Sequence, residues 1–190
     1  MTPESVDRLA WIVWAVSWFA AAAWSDRTVK RAGAERESVY RLLLTAGAVL
    51  LFGPYPRRLL TELVVWHVSQ IVAWAMVAIT VVGFLFTWWA RLYLGSLWSG
   101  HITRKEHHRI VDGGPYGVVR HPIYAGLILA VVGTTVIRAT LFGLVGALLM
   151  IAGFYVKARL EEDFLREQLG ARDYDAYRRR VPMLVPFPRS

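Results

Sequence analysis

The sequence has no cysteine among its 190 residues, which excludes a disulfide framework, a thiolate zinc site and a cysteine nucleophile together. Charge is scarce as well: Asp, Glu, Lys and Arg make up 19% of the chain, below the roughly 25% that soluble domains carry. No internal repeat or low-complexity tract is present. A secretory leader is not expected either, because Met1 to Arg8 holds Glu4, Asp7 and Arg8 rather than a basic start. Ala21-Ala22-Ala23 therefore reads as part of a retained helix and not as a processing site.

What the chain has in excess is apolar surface: 56% hydrophobic residues and nine Trp. These gather into runs, the pattern of membrane spans rather than of amphipathic helices. The runs extend from Leu9 to Trp24, Val39 to about Gly53, Leu63 to about Trp89, Pro122 to Ile137, and Ala139 to Tyr155. Several are shorter than the roughly 20 residues of an untilted span, and flanking Trp, Tyr and Arg at the interface extend them. The expected fold is an all-α integral membrane protein of about five transmembrane helices. It forms a single membrane domain over 1–190, with three N-terminal helices in 1–90. A second half, 91–190, holds a polar loop, a tight helical hairpin and a charged tail.

The formal net charge of +8 raises nucleic acid as a partner only in a soluble protein. Here the basic residues flank apolar runs, so they point to topology and to anionic lipid headgroups, and no nucleic-acid partner is expected. Arg27, Lys30, Arg31 and Arg36 follow the first run, and Arg91, Arg104, Lys105, Arg109 and Arg120 follow the third. The opposite loops hold only Arg57, Arg58 and Arg138. Positive-inside counting puts the long polar loop and the tail in the cytoplasm and the N-terminus outside. Gly126, Ala130 and Gly133 on the fourth run, and Gly143, Gly146 and Gly153 on the fifth, form small-residue stripes of the kind that lets helices approach closely in lipid. Such packing is expected to hold the start of the fourth helix beside the end of the fifth. Trp11, Trp14 and Trp18 form a stripe on the first helix that faces lipid or a packing partner. His67 and Gln70 are expected on one face of the third helix, bonded to a neighbouring helix.

Three segments can carry chemistry. Gly113-Gly114-Pro115-Tyr116-Gly117 leads into Arg120-His121-Pro122-Ile123-Tyr124, where Pro122 suits the first position of a helix. Arg120 and His121 then sit at a helix N-terminus, an anion-friendly place. Lys157, Arg159, Glu161, Glu162 and Asp163 fall where the fifth helix leaves the bilayer, with Lys157 and Glu161 on one face at i,i+4. Charges so near lipid need partners or a polar cavity. Third, the tail carries Leu169-Gly170-Ala171-Arg172-Asp173-Tyr174-Asp175-Ala176-Tyr177-Arg178-Arg179-Arg180-Val181-Pro182, then Pro186-Phe187, an aromatic and Arg interfacial segment. His101, Glu106, His107 and His108 lack the His–Glu–His spacing of a zinc helix, so no metal is expected.

Together the Gly-Pro-Tyr through Arg-His-Pro-x-Tyr segment, the Glu-Glu pair, Leu-Gly-x-x-Tyr-x-x-Tyr and Arg-Val-Pro with its later Pro-Phe resemble the isoprenylcysteine carboxyl methyltransferase family. That family shares its C-terminal pattern with phospholipid methyltransferases and some sterol reductases. The resemblance covers roughly Gly95 to Pro188, and the first three helices carry no recognisable motif. It implies an S-adenosylmethionine-dependent methyltransferase with a cytosolic cofactor-binding loop and C-terminal segment. The implied cofactor positions are His101, His108, Arg109, Ile110, Val111 and Tyr116 in the loop. His121, Pro122, Ile123 and Tyr124 follow in the Arg-His-Pro-x-Tyr motif, with Glu161 as the acidic contact. A basic residue facing substrate falls on Lys157 or Arg159. At His101 the eukaryotic enzymes tend to have Gln. The implied acceptor is a lipophilic molecule reached from the bilayer, with no obligate protein partner.

Methyl transfer from a sulfonium is an in-line displacement that needs alignment and exclusion of water. For a carboxylate acceptor, Arg159 is the candidate orienting cation. For an amine, Glu162 or His121 is the candidate base. The carboxylate is the first expectation. A phospholipid amine methyltransferase, a membrane reductase with the same C-terminal pattern and a non-catalytic lipid-binding scaffold are the alternatives.

Overall fold

A computed structural model describes residues 1–21, 28–31, 34–56, 63–95, 103–105 and 111–187. Each of the five apolar runs carries a helix. In chain order these are α1 (Pro3–Ala21), α2 (Ala34–Phe52) and α3 (Gln70–Leu94), then, after the single-turn α4 (Pro115–Val118), α5 (Pro122–Arg138) and α6 (Leu141–Leu169). A last helix, α7 (Ala171–Arg180), follows Gly170. The all-α expectation holds for the body of the protein, with one addition. Strands β1 (Thr28–Arg31) and β2 (Thr103–Lys105) pair antiparallel, joining the segment after α1 to the segment after α3.

Two of the helices, Gln70–Leu94 and Leu141–Gln168, are long and apolar enough to cross a membrane, and α5 is a shorter apolar helix. Their outward faces are apolar: Ile71, Leu85 and Leu92 on α3 and Leu148 on α6 are exposed, as are Val16 and Phe19 on α1 and Leu42 on α2. Water-soluble proteins rarely expose so much contiguous apolar surface.

Two helix boundaries differ most from the sequence expectation. The third helix starts at Gln70 instead of Leu63, because the Ser69 hydroxyl accepts from the Val72 amide and caps it there. Residues 63–65 instead run across the hairpin turn, with Val65 N donating to Ala139 O and Leu141 N to Leu63 O. His67 therefore precedes the helix and shares no helical face with Gln70. The fifth helix is longer than expected, continuing through Glu161 and Glu162 to Leu169.

Packing occurs in two pairs, α3 along α5 and α2 along α6. The small-residue stripes set both crossings. A Cβ built on Gly126 would lie 2.6 Å from Gly83 O, and one on Gly146 2.7 Å from Gly47 O. The two stripes thus face α3 and α2 rather than each other. The start of α5 still meets the end of α6, because Ala139 and Thr140 turn one helix directly into the next. Ala139 takes a left-handed conformation there (φ 53°), and the Thr140 side chain caps α6 through the Gly143 amide. The Trp stripe of α1 finds packing partners. Trp11 Nε1 donates to Thr134 Oγ1 (2.7 Å) and Trp14 Nε1 to Thr87 Oγ1 (2.8 Å). Thr134 Oγ1 in turn lies 3.1 Å from both carboxylate oxygens of the buried Asp7.

Candidate functional site

Where α5 begins and α6 runs past it, Arg120, His121, Tyr124, Glu161 and Glu162 converge. Pro122 opens α5 at a position where a missing N–H costs nothing, and His121 stands before it. Glu161 and Glu162, adjacent on α6, point to different parts of the cluster. Glu162 is enclosed, with its side chain 1% exposed. It accepts a 2.7 Å bond from Arg120 Nε, lies 3.3 Å from His121 Nε2, and faces Arg178 Nε at 3.3 Å. Glu161 is more open, at 18% exposure. Its carboxylate accepts from Tyr124 Oη at 2.5 Å and lies 3.6 Å from His121 Nδ1.

The tail closes the cluster from below. Arg120 Nη1 donates to the carbonyls of Arg178 (3.1 Å) and Val181. The Arg120 and His121 amides donate to Pro182 O and Met183 O, at 2.8 and 3.1 Å. Tyr177 Oη donates to Tyr116 O at 2.7 Å, tying α7 to α4. Ahead of Tyr116, Gly113 and Gly114 lie against the Tyr93 ring. A Cβ on Gly113 would come within 2.5 Å of the Tyr93 hydroxyl and one on Gly114 within 2.5 Å of the ring, and Gly114 also needs its positive φ of 55°.

Burial and neighbouring charge set the protonation of these groups. Burial works against a protonated His121 imidazole, but the Glu161 and Glu162 carboxylates outweigh it and raise its pKa above the ordinary value. Burial likewise raises the phenol pKa of Tyr116, Tyr174 and Tyr177, so all three remain neutral donors. The rings order the rest: His121 stacks on Tyr124 (5.5 Å) and Tyr124 on Phe154 (5.6 Å).

Among the residues expected from the sequence, the fold brings His121, Pro122, Tyr124, Glu161 and Glu162 together, with Tyr116 anchored nearby through α7. Ile123 is half-buried against the apolar core, and Val111 is half-buried ahead of the Gly-Gly turn. Lys157 reaches the cluster, with its ammonium 5.2 Å from the Tyr124 ring centroid. Arg159 is exposed on the same helix and takes no part in these hydrogen bonds and ion pairs. His101, His108, Arg109 and Ile110 lie outside the described residues. Arg178 and the Val181 carbonyl, marked in the sequence only as part of the tail segment, join the site. The run Arg178-Arg179-Arg180 looks like an interfacial basic patch, and only the fold shows that its first member faces Glu162.

The fold and the site define a helical protein with lipid-type outer surfaces and a buried Arg–His–Glu–Glu cluster at one end of the bundle. Residues 76–167 match the sequence model of the isoprenylcysteine carboxyl methyltransferase (ICMT) family. The match starts inside α3, earlier than the motifs alone suggest, and ends before α7. An Arabidopsis thaliana protein-S-isoprenylcysteine O-methyltransferase B is 34% identical over 86 residues, 45% of this chain and 44% of that one. The Xenopus laevis protein-S-isoprenylcysteine O-methyltransferase is 33% identical over 101 residues, 52% of this chain and 35% of that protein. A Bradyrhizobium diazoefficiens methanethiol S-methyltransferase 2 is 31% identical over 167 residues, 80% of this chain and 60% of the relative. The chain thus matches about half the length of the plant enzyme and less of the frog one.

Proposed function

We propose that the protein is an integral membrane methyltransferase that uses S-adenosylmethionine and acts on a lipophilic acceptor from the bilayer. The observation that carries this reading is the Glu161–Glu162 pair at the end of α6, engaged by Arg120, His121 and Tyr124 at the start of α5, inside the segment that matches the family. In this reading five helices cross the membrane, with the N-terminus outside and the cluster on the cytoplasmic side. The β1–β2 ribbon supports a shared side, since it joins the two loops richest in basic residues.

The side chains suit the cofactor by their chemistry. Glu161 is the more open carboxylate, held by a phenol and an imidazole it could exchange for the cofactor's donors. The neighbouring Tyr124 and His121 rings offer apolar faces with polar edges. S-adenosylmethionine supplies the activated methyl group when bound. The chain's residues do the remaining work: Glu162 fixes Arg120 and His121, Glu161 holds the cofactor with His121 and Tyr124 behind it, and the tail keeps water out. An acceptor that arrives as an anion needs no general base, and the loss of opposite charges during transfer is favoured where the dielectric is low. Of the two candidate cations, Lys157 stands beside Glu161 and Tyr124, so it is the better placed to orient such an acceptor. Arg159, on the exposed face, would meet an acceptor approaching from outside the bundle. Glu162, committed to Arg120, His121 and Arg178, acts here as an anchor instead of a base.

The carboxylate of an isoprenylated cysteine is the first acceptor class, from the relatives in Arabidopsis and Xenopus. A thiol is the second reading, because the match to the Bradyrhizobium methanethiol enzyme covers 80% of the chain. Calorimetric titration of the purified protein in detergent with S-adenosylhomocysteine tests the shared core. Saturable binding is expected, and its absence in folded protein overturns the reading.

A further inference from the structure

The first half of the chain reaches the site through one residue that no motif marks. Tyr40, on α2, is buried at 3% exposure against Phe164, Val156 and Leu160 of α6. Its ring centroid lies 5.4 Å from Lys157 Nζ, and the Tyr124 centroid lies 5.2 Å from the same nitrogen. The ammonium thus lies over two aromatic rings, one from each half of the protein. Both distances fall within the roughly 6 Å over which a ring face attracts a cation. Tyr124 is fixed in turn, by its bond to Glu161 and its stacking on His121 and Phe154. Lys157 itself is half-buried and sits one helical turn before Glu161. A lysine stem is long and flexible, and the two rings, with the Glu161 carboxylate one turn away, narrow the region its charge occupies.

We propose that Tyr40 is a positioning residue of the acceptor site: with Tyr124 it holds the Lys157 ammonium where an anionic acceptor head docks for methylation. The inference rests on the methyltransferase reading and adds its acceptor chemistry, a carboxylate or thiolate in preference to a neutral amine. It also makes α2, outside the family match, a determinant of specificity.

The test compares wild type, Tyr40→Phe, Tyr40→Leu, Lys157→Met and the Tyr40→Leu/Lys157→Met double variant, all in detergent. Each is assayed for S-adenosylhomocysteine affinity, and for KM and kcat with two probes, farnesylated N-acetylcysteine and methanethiol. Tyr40→Phe keeps the ring and should stay within about twofold of wild type. Tyr40→Leu should raise KM about tenfold, a loss within the range of a desolvated cation–π contact, while kcat and S-adenosylhomocysteine affinity hold within about twofold. In the Lys157→Met background Tyr40→Leu should add nothing, since one acts through the other. A KM effect on the farnesylated probe alone identifies a carboxylate acceptor, and one on methanethiol alone a thiolate. Additive effects, an unchanged KM, or a parallel fall in kcat and S-adenosylhomocysteine affinity overturn the proposal. So does turnover of neither probe by wild type that binds S-adenosylhomocysteine. Failure of wild type to bind S-adenosylhomocysteine sinks the methyltransferase reading itself. Lys157→Met, at a half-buried position, keeps the test decisive should Tyr40→Leu not fold.

Discussion

Glu161 and Glu162 are neighbours of the same chemical type, yet their surroundings give them opposite sensitivities. Removing Glu162 leaves the buried Arg120 guanidinium without its counter-charge, a change that costs about 3–5 kcal/mol in other proteins. Glu162→Ala should therefore lower the melting temperature in detergent sharply. Glu161→Gln should lower the melt less than Glu162→Ala, since Glu162 still faces His121 and the Tyr124 phenol tolerates an amide, while weakening S-adenosylhomocysteine at least about tenfold by calorimetry. Equal effects of the two variants on melting would contradict this division. His121 adds a pH dependence. Its pKa is raised in the folded protein, so protonation favours folding. That contribution is complete below the unfolded value of about 6.5 and disappears as pH climbs through the higher folded value. Melts recorded from acid to alkaline pH should show wild type losing stability on the alkaline side, with a flatter profile for His121→Asn. At this scale the sequence was informative where residues are close in a motif, as with Arg120, His121 and Tyr124. It was silent about Tyr40 and Arg178, whose roles depend on partners 117 and 16 positions away in the chain, at Lys157 and Glu162.

Helices are legible from sequence when their apolar runs are continuous, and all five runs did carry one. Their ends were less so. The break at Ser69 depends on one side-chain cap, and the extension of α6 past Tyr155 depends on Glu162 finding partners on α5, neither of which a hydropathy run records. The small-residue stripes were visible, but not the helices they face. Gly83 and Gly126 place two backbones in contact, as do Gly47 and Gly146. Since the obstructing atoms are backbone carbonyls, a methyl group cannot be absorbed by a rotamer change. Gly83→Ala and Gly146→Ala should each cost about 1–3 kcal/mol, the usual range for overpacking, seen as a lower melting temperature. Gly95→Ala meets nothing within 4 Å and is the control for crowding, though its φ of +59° makes it sensitive to backbone strain.

In the whole molecule, two helix pairs are joined through the α5–α6 turn, and the cluster sits at the end of the bundle away from that turn. The proposed sidedness is open to direct measurement because the chain contains no cysteine. A single cysteine at Thr2 should react with a membrane-impermeant maleimide on intact cells. One at Arg179 should react only after permeabilisation. The reverse pattern would invert the topology and place the cluster away from the cytoplasm. Sidedness could be argued from basic loops alone, and the family resemblance brought the C-terminal segment to the site, but the contacts by which the tail closes it could not be read. No sequence pattern announces that the Pro182 and Met183 carbonyls will receive the Arg120 and His121 amides.

That closure has a consequence for how the protein is made. The α5 start and the α6 end are brought together by their own short turn, but Arg120 gains its Val181 and Pro182 carbonyls only once the tail has folded back. The bundle can therefore stand with an unfinished pocket, and competence arrives as a late, single event. A chain truncated before Val181 should insert and stay protease-resistant in its helices, yet fail to retain S-adenosylhomocysteine.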